Sequence, residues 1–178
     1  MKNFINKYYE DSIKLKERFK ITEQKSWDYL TVLTELNVQI GHVYTIDNPS
    51  EIVEPYRNIV NLGDEVSDIF FQLILLMYYL DYDMNKIEYN SKEKDLDSFM
   101  IAFGQCSEAL LEKYGLRFNK PRPGFNTTDE YVMYKINQML SITYNYSMDK
   151  NLDIYKEYEL MLIDANKFLD RYKNKIDA

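Results

Sequence analysis

Six residues in this chain are spaced so that they could act together: Glu35, Gln39 and His42 at i, i+4 and i+7, and Glu65, Asp68 and Gln72 at i, i+3 and i+7. On helices each trio shares one face. Antiparallel packing of two such helices would turn the faces toward each other and gather carboxylate, amide and imidazole groups in one place. Hard oxygen donors are what Mg2+ or Mn2+ requires, usually with several waters retained. A cation held there can bind phosphate oxygens and orient or activate a water for attack at phosphorus. Each trio also has a plainer explanation. The first is the solvated side of a well-patterned helix, with His42 a surface or interhelical hydrogen-bonding residue. Asp64 and Glu65 are favourably placed at the positive end of a helix dipole. That explanation does not reach Asp68 and Gln72, which lie farther in among apolar neighbours.

The elements that must position these residues can be read from periodicity. Residues 26–44 place Val32, Leu36, Ile40 and Val43 on one stripe, which predicts a helix capped by Thr22 or Ser26. Asn61 is a suitable cap for a helix over 62–82, whose segment from Ile69 to Leu80 is apolar on almost every side apart from Gln72. A helix of that kind must be largely buried. Either further helices of this chain or a second copy must cover it. Other periodic segments predict helices over 4–19, 96–114, 128–148 and from about 153 to 172. The connectors include turn chemistry at Asp47-Asn48-Pro49-Ser50, a short helical turn within 50–55, an Asn90-Ser91 turn and cap, and a Gly115 stop. With no linker or low-complexity tract, the expectation is a single all-α domain over 1–178, a bundle of about six helices.

One loop stands apart. Residues 117–128 form the only loop dense in proline and glycine, and they follow Lys113 with Arg117, Lys120 and Arg122. These four cations in an acidic chain are the candidates for phosphate contacts, against the alternative of a solvated loop. Glu108 and Glu112, at i and i+4 just before them, read as solvated helix acids paired with nearby lysines.

Composition removes several function classes. A net charge of −7 argues against nucleic-acid binding by bulk electrostatics. One cysteine, Cys106, cannot close an intramolecular disulfide, which suits a reducing cytosol. The apolar run at 69–80 is shorter than a bilayer span, and the first residues lack a signal-peptide core, so a cytoplasmic protein with no membrane partner is expected. A single histidine excludes a ferritin-like di-iron centre, which needs two Glu-x-x-His pairs.

Residues 27–80 resemble the MazG-like all-α nucleoside triphosphate pyrophosphohydrolases. That family carries Glu-Glu-x-x-Glu on one helix and Glu-x-x-Asp on the next. Here Glu65-Val-Ser-Asp68 matches the second half in the setting Gly-Asp-Glu-Val-x-Asp-Ile, and Glu35 matches the first Glu. Leu36 and Gln39 replace the other two. The resemblance implies a four-helix core with extra C-terminal helices, and Mg2+ held by Glu35, Glu65 and Asp68. It implies Gln39 as an auxiliary ligand or water positioner, with His42, Gln72 and the four loop cations on the substrate side. The reaction implied is cleavage of a nucleoside triphosphate to the monophosphate and pyrophosphate, in a homodimer or homotetramer. The departures at Leu36 and Gln39 leave a second expectation: a relative that binds nucleotide, or a helical partner, without turnover.

Overall fold

A computed structural model describes residues 1–23, 25–47 and 61–176. Its helices are α1 (Lys2–Phe19), α2 (Tyr29–Asp47), α3 (Leu62–Tyr79), α4 (Leu96–Lys113), α5 (Thr128–Asp149) and α6 (Ile154–Ile176), with a 3-10 turn at Met84–Lys86. No strand occurs among the described residues, so the fold is an all-α helical bundle. The turn expected at Asp47–Ser50 runs beyond the described residues, and the short helical turn expected within 50–55 lies outside them.

Local chemistry accounts for the helix ends. The Asn61 side chain accepts hydrogen bonds from the backbone N–H of Gly63 (3.0 Å) and Asp64 (3.4 Å), as its cap role requires. Asp28, not Thr22 or Ser26, caps α2, accepting from the N–H of Thr31 at 2.9 Å. Asp95 takes the place expected for Ser91 at the start of α4, accepting from the N–H of Ser98 at 2.7 Å. In both cases a carboxylate directly before the first helical turn prevails over a hydroxyl farther upstream. At the other end, α3 and α5 stop alike. Asp81 and Asn151 turn left-handed, with φ of 52° and 56°. The N–H of the next residue then closes on Met77 O and Ser147 O respectively, each at 2.9 Å. Gly115, at φ 73°, ends α4 where the sequence placed a stop.

α3 is the axis of the bundle and packs against α1, α2, α5 and α6. Residues from Ile69 to Met77 are all buried within this one chain. Among them Phe70 meets the ring of Phe4 of α1 at 4.8 Å between centroids. Of the two ways to cover this helix, the structure uses the chain's own helices. α4 lies on α5, and the two hairpins α2–α3 and α4–α5 meet mainly through α3 and α5. Apolar side chains from all six helices join one core.

Candidate functional site

The two polar stripes do meet. α2 and α3 pack antiparallel, so His42 near the end of α2 reaches Glu65 near the start of α3, with Nδ1 2.8 Å from Glu65 Oε2. Gln39 Oε1 lies 3.0 Å from the same nitrogen. Both neighbours are acceptors, so Nδ1 carries the proton and donates to them. The plain reading of the stripe as a solvated face does not hold for Gln39 and His42, which are 7% and 6% exposed. His42 is an interhelical hydrogen-bonding residue, and Glu65, itself 6% exposed, is its partner.

One step along the same register, the helices part to form a cleft of about 660 Å³. Glu35 and Gln39 of α2 line it with Asp64, Asp68 and Gln72 of α3. Glu35 and Asp68 are half-buried, and Gln72 is 4% exposed at the floor. The amide oxygen of Gln72 is buried with no hydrogen-bond partner among the described residues. The remaining walls come from α1, the α1–α2 connection and α6: Lys16, Glu23, Trp27, Met161, Asp164 and Phe168. Lys16 is 2% exposed, ion-paired with Glu23 and 4.6 Å above the Trp27 ring. That trio is also a wall of a second cavity of about 400 Å³, which adds Lys20, Lys25 and Ser26. The two cavities therefore share one partition.

A divalent cation does not fit these side chains as they stand. Among the described residues no three His, Cys, Asp or Glu side chains are grouped to hold one. Glu35 and Asp68 share the cleft, but Glu65 is absent from its lining and is held by His42. Leu36, where the family has a carboxylate, is fully buried in the core. Gln39 directs its amide oxygen to His42.

The four loop cations lie elsewhere. None lines the cleft, and each is engaged by a carboxylate. Arg122 reaches Glu112 at 2.6 Å and stacks over Tyr131 at 4.7 Å. Lys120 and Arg117 meet Glu108 at 2.8 and 3.4 Å, and Lys113 meets Asp129 at 2.8 Å. The Arg122 guanidinium holds the Glu112 carboxyl below its usual range, and Glu112 in turn raises Arg122. Lys120 does the same for the Glu108 carboxyl. Glu108 pairs with a lysine, Lys120, as read from sequence, whereas Glu112 is not the solvated acid expected but is buried and pairs with Arg122.

Sequence reasoning missed Lys16, Trp27 and the α6 wall. Lys16 carried a signal: it sits on the buried face of α1 that also holds Ser12 and Leu15, where an unpaired charge is costly. Nothing local marks Asp164 or Phe168, because they reach the cleft only through tertiary packing. No helix among the described residues is long and apolar enough to cross a membrane. Compared with known proteins, the chain matches no family model, no curated protein and no solved structure.

Proposed function

We propose that this chain is a nucleotide-binding protein of the MazG-like all-α kind, and that the cleft between α1, α2, α3 and α6 is its ligand site. One observation carries the reading: the faces bearing the motif residues line a cleft of about 660 Å³ that shares Lys16, Glu23 and Trp27 as a wall with a lysine-bearing cavity. Both volumes fall in the range of small-molecule sites, roughly 300–1,000 Å³. Trp27, Phe71 and Phe168 suit a planar base. The carboxylates of Glu35, Asp64 and Asp68 repel phosphate, so the base end enters the cleft and the phosphates point toward the second cavity, where Lys16 and Lys20 are paired with Glu23 and Glu17 and Lys25 is exposed. The resemblance across 27–80 supplies the ligand class.

A Mg2+- or Mn2+-dependent pyrophosphohydrolase is the second reading, favoured by the placing of Glu35 and Asp68 on facing helices in one cavity. A single experiment separates the two. Nucleoside triphosphates are titrated with and without Mg2+, following heat and the fluorescence of Trp27, the chain's sole tryptophan and a wall of the cleft, and pyrophosphate is measured in the same samples. Binding without pyrophosphate supports the first reading, and pyrophosphate release replaces it with the second. No binding in either condition overturns both.

A further inference from the structure

We infer that the outer face of α2 and α4 docks a second copy of this chain in an antiparallel, two-fold pair, with the loop around Phe118 of each copy seated in an acidic cavity of the other. Docking there does not depend on the nucleotide reading. α2 and α4 lie side by side and antiparallel. Tyr29, at the start of α2, stacks on Tyr114, just past the end of α4, with 4.3 Å between ring centroids. At the other end the Tyr44 hydroxyl donates to Asp97 at 2.6 Å. Between these ties the exposed residues of α2 run from Leu30 to Gly41 and those of α4 from Ile101 to Gln105, and none is charged. In a chain with 29% charged residues, a charge-free face two helices wide has the composition of an interface core, from which charge is depleted. Gly41 and Gly104 lie inside these helices, where glycine costs about 1 kcal/mol relative to alanine. A Cβ added at either would meet nothing within 4 Å among the described residues, so nothing there requires them to be small. Close approach by another backbone does require it.

Charge identifies the occupant. Copies of a chain with net charge −7 repel one another, so they meet most cheaply on a face that is itself uncharged and has opposite signs at its two ends. Both conditions hold. The end by Tyr44 opens on a cavity of about 460 Å³ whose lining sets four aspartates, Asp47, Asp95, Asp97 and Asp149, against two lysines, Lys94 and Lys150. The end by Tyr114 carries Arg117 and Lys120, both more than half exposed and sharing one carboxylate, Glu108. Between them in sequence stands Phe118, 94% exposed. A two-fold axis through the middle of the face sets the acidic end of each copy on the basic end of the other. A parallel pairing would instead set Asp97 against its own counterpart. In the antiparallel pair Phe118 meets Tyr44 and Tyr146 of the cavity wall, and Arg117 and Lys120 meet its surplus of carboxylate. Two helices of 19 and 18 residues, about 28 Å long and about 10 Å wide each, present roughly 550 Å² per copy. The pair therefore buries about 1,100 Å² before the loops add to it, enough for a specific contact.

Sedimentation velocity on the full chain, from about 1 to 100 μM, is the test. The wild type should pass from monomer to dimer across that range and go no further. Gly104→Arg enters open space on an exposed helix face, and Phe118→Asp alters a side chain that solvent already surrounds, so both variants should keep the wild-type circular dichroism spectrum. Each should weaken the dimer at least about tenfold, and salt at about 0.5 M should weaken the wild-type dimer as well. A wild type that stays monomeric at the top of the range overturns the inference, as does a dimer that neither variant weakens. Growth beyond the dimer marks a head-to-tail contact and overturns the two-fold pairing. Weakening by Gly104→Arg alone overturns the seating of Phe118, and weakening by Phe118→Asp alone overturns the α2–α4 face. A dimer indifferent to salt overturns the pairing of charged ends.

Discussion

Arg122→Met decides whether the loop arginine serves the fold or a ligand. Its guanidinium is 2.6 Å from Glu112 Oε2, and the two side chains are 13% and 0% exposed. Removing one partner of a buried ion pair costs about 3–5 kcal/mol, because the other charge stays buried. Glu112 keeps one donor, the N–H of Lys120 at 3.1 Å, which draws the cost to the lower end. Its second oxygen is buried without a hydrogen-bond partner among the described residues, so it offers no further compensation. Loss of the contact with the Tyr131 ring adds about 0.5–1 kcal/mol. The expected penalty is therefore about 3 to 4 kcal/mol at pH 7. In urea, with a slope of about 2 kcal/mol per M, the midpoint should fall by roughly 1.5–2 M. Replacing both partners, Glu112→Leu with Arg122→Met, should restore most of it, since an apolar pair of similar volume replaces a buried ion pair at little cost. The pH dependence has a definite sign. Arg122 depresses the Glu112 carboxyl in the folded state, so its stabilisation is present above the ordinary carboxylate value near 4.3 and is lost as pH falls through the lower folded value. The difference between wild type and Arg122→Met should therefore narrow on acidification. A penalty below about 1 kcal/mol, typical of a surface pair, or one unchanged from pH 7 to pH 3, refutes this reasoning.

Other substitutions probe the site and core. Gln72→Leu should raise stability by about 1 kcal/mol in urea melts, by removing an unmet buried acceptor. His42→Ala should lower it by about 2–3 kcal/mol, since Glu65 and Gln39 lose their shared donor in a buried position. Burial pushes the Cys106 thiol up to about 12, so mass spectrometry should find it inert to iodoacetamide at pH 8 until denaturant opens the core.

The helices were legible where periodicity and burial agree. α3 shows this best, because an apolar run behind an Asn cap admits one state, and the structure starts it at Leu62 as expected. Cap choices were less legible, since Thr22, Ser26 and Asp28 all offer a suitable oxygen and only the path of the chain selects among them. At the site, spacing correctly put Glu35, Asp68 and Gln72 on one surface. Spacing alone could not show that His42 draws Glu65 out of that surface, because i+7 on one helix says nothing about the residue opposite. The basic loop illustrates the same limit. Its charges looked available until α4 placed Glu108 and Glu112 beneath them.

The self-contained burial of α3 has a consequence for how the protein responds to dilution. Chains that bury a central helix against a second copy gain stability by mass action, and their melting temperature falls as concentration falls. Here Ile69 to Met77 are covered by helices of the same chain. The helix that positions Asp68 and Gln72 therefore owes its environment to a unimolecular event. A midpoint that falls on dilution would therefore report an interface on another face of the molecule.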